Sequence, residues 1–116
     1  MRGFLTLVVF LSSSYFTQSQ IDIEWDLVAR NSGSYITPDG NDVRIMGYAK
    51  SIGDEVYIPA PTLYCEEGDS VELMLYNLSQ GAPHTVHLHG LDVDQQNDGV
   101  PHLSFDIPHM DHGFYY

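Results

Sequence analysis

The amino-acid sequence predicts an all-β sandwich, and three observations carry that prediction. Turn-forming clusters recur throughout the chain from residue 21 onward. The pieces between them alternate apolar and polar residues or are rich in β-branched and aromatic side chains. No piece sustains the 3.6-residue apolar period of a helix. The breakers are Ser32-Gly33, Pro38-Asp39-Gly40, Ile52-Gly53-Asp54, Pro59-Ala60-Pro61, Glu67-Gly68-Asp69, Gly81-Ala82-Pro83 and Asp98-Gly99-Val100-Pro101.

Residues 1–19 read as an export signal and not as part of the fold. Arg2 gives a positive start, and Phe4–Leu11 is an apolar run far short of the roughly 20 residues that cross a bilayer. A polar stretch follows, and Thr17 and Ser19 are small enough to direct cleavage after Ser19. The mature chain is then residues 20–116, exported to a periplasmic or extracellular space with no membrane span. At this length it forms one domain.

Strands are expected in order along that domain. Ile21, Ile23 and Trp25 fall on one side of the first. Val43–Tyr48, Glu55–Ile58 and Thr62–Glu66 have strand composition. In Ser70–Asn77, Val71, Leu73 and Leu75 face one way, and Glu72, Met74 and Tyr76 face the other. His84–His89 and Gly113–Tyr116 complete the set. The sequence stops on Phe114-Tyr115-Tyr116, an apolar strand start where a frayed polar end is more usual, so the sandwich is expected to be incomplete at its C-terminus.

The formal net charge is −12, and the proposed leader contributes only Arg2 to it. An acidic surface of this kind repels phosphate backbones and anionic headgroups, which argues against nucleic acid and against an anionic membrane surface as partners. The single cysteine, Cys65, cannot form an internal disulfide. It reads as a buried thiol, with an intermolecular bond or a metal bond as the alternatives.

The chemistry concentrates in six histidines, at 84, 87, 89, 102, 109 and 112. On a strand His87 and His89 share a face, with Cα atoms roughly 6.5–7 Å apart, while Val86 and Leu88 point into a core. Two imidazoles so placed can converge on one ion or bind two neighbouring ions, and imidazole suits copper, zinc, iron and nickel. Gly90 lets the chain turn close to such a site.

The residues around the pair resemble the N-terminal cupredoxin (plastocyanin-like) domain of multicopper oxidases. Pro61-Thr62-Leu63 leading to Gly68-Asp69, the strand Val71–Asn77, the histidine motif His84-Thr85-Val86-His87-Leu88-His89-Gly90-Leu91 and Asp98-Gly99-Val100-Pro101 follow the family's order. The similarity runs from about Trp25 to Tyr116. It implies a Greek-key cupredoxin-like sandwich and copper as the metal. It also implies that His87 binds the type 2 copper, and His89 one of the paired type 3 coppers, of a centre that reduces dioxygen to water. The family's second His-x-His, its C-terminal histidine motifs and the cysteine of its type 1 copper have no match here; Cys65 precedes the histidines on another strand. The chain alone should therefore not be an oxidase. Its expected partner is the remainder of an oxidase chain or a partner subunit, and dioxygen only within the complete enzyme.

Other residues are expected to be structural. His84 should lie on a turn or outer face, and His102, His109, Met110 and His112 in a surface loop. Asp92, Asp94 and Asp98 are candidates for hydrogen bonds to the ligand histidines. Asn77-Leu78-Ser79 fits a glycosylation acceptor, but a structural asparagine at a strand end is the favoured reading. The tyrosines read as packing. Rival functions are a small exported copper carrier, a cupin-like mononuclear metal protein, which would want an acidic ligand where Val93 and Asp94 stand, and a metal-free structural module.

Overall fold

The structure, a computed structural model, describes residues 20–116. The proposed leader, residues 1–19, lies outside the described residues. Within them there is no helix, and four strands form one mixed sheet: β1 (Ile23–Ile36), β2 (Asp42–Ala49), β3 (Val71–Asn77) and β4 (His112–Tyr115). Their order across the sheet is β2-β1-β3-β4.

β1 and β2 form an antiparallel hairpin closed by a five-residue turn. Thr37 and Asn41 exchange main-chain and hydroxyl bonds there, and the Thr37 hydroxyl and the Asn41 amide both donate to the Asp39 carboxylate. These donors, Thr37 first, hold the Asp39 carboxyl below its ordinary range. The chain then leaves the sheet over residues 50–70 and returns on the far side of β1. There β3 pairs with it in parallel, Ile23 opposite Val71 and Ala29 opposite Asn77. A second excursion, residues 78–111, leads to β4, antiparallel on β3.

The alternation read in the sequence is the packing of the sheet. Leu73 and Leu75 of β3 join Leu27, Ala29, Tyr115 and Ile107 in one buried cluster, with Trp25, Tyr48, Leu63 and Val86 against it. Full burial of a leucine side chain is worth about 1.5–3 kcal/mol. The opposite face buries Val28, Ile45, Ala49 and Val56, with Tyr76 and Leu78 packed on them. The sheet is thus covered on both sides by the two excursions.

Several expectations are corrected. Ser32-Gly33 does not break the chain: β1 runs through it with a shift of register between Arg30 and Gly33. Glycine is required there by packing, because a Cβ would lie 2.7 Å from Ile45 Cγ1 and 2.9 Å from Val56 Cβ. Glu55–Ile58 and Thr62–Glu66 are irregular; they cover the sheet through Val56 and Leu63 without joining it. His84–His89 is not a strand either. Only His84 makes a β-bridge, to Ile107. Cys65 is exposed, so it is not a buried thiol. Asn77, by contrast, is the structural residue expected. It is fully buried, donates to the Ile107 carbonyl at 2.8 Å and accepts from the Ser79 amide and hydroxyl.

Candidate metal centre

His87 and His89 lie on the irregular segment that crosses one face of the sheet between β3 and β4. The anchor at its start is a pair of main-chain bonds between His84 and Ile107, at 3.0 and 2.9 Å. From Thr85 to His87 no main-chain hydrogen bond follows among the described residues. Side chains of the sheet take over. The Tyr48 hydroxyl donates to the Thr85 carbonyl at 3.0 Å, and the Val86 amide donates to the Tyr115 hydroxyl at 3.1 Å. Burial pushes the phenol pKa of both tyrosines up, so both stay protonated.

Sides alternate along this segment although no ladder holds it. Val86 and Leu88 are half-buried, and His87 and His89 are exposed. Val86 packs on the core cluster. Leu88 lines an open cavity of about 580 Å³ together with Trp25, Leu73, Leu91 and Tyr115. The two imidazoles are neighbours, with centroids 5.6 Å apart and planes at 88°.

His87 is oriented from outside. Its Nδ1 lies 2.7 Å from the Asp98 carbonyl oxygen and 3.4 Å from the Asp98 carboxylate. A carbonyl only accepts, so Nδ1 carries the proton and donates, and the lone pair of the neutral ring is on Nε2. The loop that presents Asp98 is itself braced. Asp94 accepts from the main-chain amides of Gln96 and Asn97, and Asn97 accepts from the amide of Tyr116 after β4. Gly99 lets this loop lie against the histidine segment: it has φ of +71°, and a Cβ on it would fall 1.8 Å from the Val86 carbonyl oxygen. Of the three aspartates considered, Asp98 touches the ligand candidate, Asp94 builds the loop and Asp92 lines the cavity.

The remaining histidines are dispersed. His84 is half-buried beside Tyr48 and Met46 in a small cleft. His102 and His109 are exposed, and Met110 is exposed in a turn where its amide donates to the Asn77 carbonyl. His112 is on β4, stacked on Tyr76 on the opposite face of the sheet. Among the described residues no three His, Cys, Asp or Glu side chains come together as a metal site. What the fold assembles is a pair of imidazoles. Sequence reasoning missed the two tyrosines that hold their segment. They stand 37 and 29 positions from their partners, and no local pattern marks such a bond.

The family model for multicopper oxidases matches residues 34–116, most of the chain. The chain belongs to the multicopper oxidase family. No curated protein and no solved structure is significantly similar to it. For a multicopper oxidase domain the four-stranded sheet is one layer of a cupredoxin sandwich, and membership implies copper as the metal. It also sets aside the cupin alternative. The matched span contains β2, β3 and β4, both paired histidines, both tyrosines and the Asp98-Gly99 turn. No helix among the described residues is long and apolar enough to cross a membrane.

Proposed function

We propose that this chain contributes two imidazole ligands, His87 and His89, to the copper centre of a multicopper-oxidase-like assembly, and that it reaches its site of action by export with residues 1–19 as the leader. The observation that carries the reading is the edge-to-face pair with His87 fixed through Nδ1. The donor set fits copper, for which imidazole is a suitable ligand. The ring centroids are 5.6 Å apart, so both imidazoles present their nitrogens to the same small region, where neighbouring copper ions would be held.

In the family-based assignment His87 serves the type 2 copper and His89 a type 3 copper. Bound copper supplies the one-electron steps by which the family reduces dioxygen. The chain's own residues hold and orient. The Asp98 carbonyl fixes the His87 tautomer, the loop braced by Asp94 and Asn97 fixes that carbonyl, and the acidic surface attracts cations. Both rings are exposed, which leaves their outer side open to ligands from the remainder of an oxidase chain or a partner subunit. Two imidazoles do not complete a multinuclear centre, so dioxygen reduction belongs to the assembly.

Copper(II) titration of residues 20–116, read by electron paramagnetic resonance, tests the reading. The expected result is nitrogen coordination that is lost in the His87→Ala/His89→Ala double variant and kept in His102→Ala. Equal binding by wild type and double variant would assign the metal to the acidic surface or to His109–His112. Sustained dioxygen consumption by the isolated chain would overturn the shared-site reading. For export, the N-terminal residue of secreted protein should be Gln20; retention of Met1 would remove the leader.

A further inference from the structure

We propose that Tyr48 and Tyr115 are positioning residues for the histidine pair, two phenols that clamp a single peptide group and thereby set where His87 and His89 present their rings. The inference rests on the metal-ligand reading of that pair. The carbonyl of Thr85 and the amide of Val86 belong to one planar unit. Tyr48 takes its oxygen end and Tyr115 its nitrogen end. Holding a rigid plane at both ends fixes its position and its rotation about the chain, which one bond cannot do.

The two phenols come from opposite edges of the sheet, Tyr48 from β2 and Tyr115 from β4. Three strand spacings separate those edges, about 14 Å at 4.7–4.9 Å each. Both side chains lie on the face of the main core cluster, and from there both reach the same peptide group. Tyr115 is 1% exposed, packs on Phe105 with centroids 4.8 Å apart, and is locked in its rotamer by the core. The phenols do what a strand ladder would otherwise do for residues 85–87, which make no main-chain bond among the described residues. His87 follows directly after the clamped peptide, and the Gly99 backbone lies so close to the Val86 carbonyl that a Cβ there would fall 1.8 Å from its oxygen. The segment is thus fixed at consecutive peptides by tyrosine and by loop backbone.

The test uses residues 20–116 carrying Tyr48→Phe, Tyr115→Phe or both, with copper(II) as the probe. Circular dichroism and thermal unfolding report the fold, and electron paramagnetic resonance reports the copper environment. Removing both hydroxyls should leave the fold in place, weaken copper(II) binding by about 10-fold or more, and change the copper hyperfine splitting. Restoring tyrosine at either position should recover part of the affinity. A folded double variant with wild-type affinity and spectrum would overturn the clamp. Should the double variant not fold, Tyr48→Phe on the edge strand decides by the same readouts. If wild type binds no copper through the histidines, the metal reading fails by itself, and the clamp is judged in metal-free protein. There the nuclear Overhauser effect between the His87 and His89 rings should be present in wild type and lost in the folded variant, with the Leu75 and Ile107 methyl shifts unchanged. Its persistence would reject the clamp independently of copper.

Discussion

At the scale of the residue, two positions show how closely the site is fitted to the fold. Gly99 occupies a place where any side chain meets the Val86 carbonyl and where φ is positive, so both space and backbone exclude a Cβ. Gly99→Ala should cost about 1–3 kcal/mol of stability, measured by chemical denaturation. It should also lengthen the contact between Asp98 and His87, visible as a shifted His87 Nδ1 resonance. An unchanged resonance in a folded variant would mean that the loop is not what orients the ring. Asn77 is the second position. It binds the Ile107 carbonyl and Ser79 in a place without water access. Asn77→Ala leaves those groups unpaired and should cost about 1–3 kcal/mol. For the same reason the Asn77-Leu78-Ser79 acceptor should carry no glycan in folded protein, and an intact mass without added sugar checks this.

Among the elements, β3 was legible because its period of two is unbroken and one of its faces is the core, where Leu73 and Leu75 lie. Gly113–Tyr116 read as a strand from its run of three aromatics, and the strand observed there, β4, starts one residue earlier at His112 and ends at Tyr115. β1 was only half legible. Its continuation past Trp25 includes Arg30, Asn31, Ser32 and Gly33, which carry turn composition, and tertiary packing of Gly33 against Ile45 and Val56 overrides that signal. The histidine segment shows the opposite error. Its inside-outside alternation is real, because any extended chain lying on an apolar face alternates, but alternation does not supply a ladder partner, and only His84 finds one. The histidine pair was therefore visible in the sequence while the means of holding it was not. The tyrosines carrying that task sit on the two edge strands, and their protonation is linked to stability. Their pKa values in the folded protein are raised above the ordinary 10.0, chiefly by burial. The folded state then holds these protons more tightly than the unfolded state, so their contribution is complete below about pH 10 and is lost as pH rises beyond it. Denaturation midpoints should fall steeply above that pH, in step with tyrosinate absorbance, and the fall should shrink in Tyr48→Phe/Tyr115→Phe. A midpoint that is flat with pH across that range would contradict the raised values.

For the molecule as a whole, a metal that binds the folded pair and not the disordered chain must stabilise the fold. At free copper(II) 100 times the dissociation constant the gain is about 2.7 kcal/mol. Thermal unfolding with and without copper should show this gain, its reversal by a chelator, and its absence in His87→Ala/His89→Ala. A similar gain in the double variant would place the metal elsewhere. The parallel pairing of β1 with β3 governs the order of assembly as well. Until Val71–Asn77 is available, β1 and β2 are an isolated hairpin, and such hairpins are marginal in water. β4, a further 35 residues along the chain (Asn77 to His112), adds to the other edge of β3 after that. Contacts so distant along the chain make folding slow, on the millisecond-to-second scale of non-local β topologies. A ribosome that releases this polypeptide from its N-terminus thus meets little resistance from premature folding while β1 and β2 wait for the strands that pair beyond them.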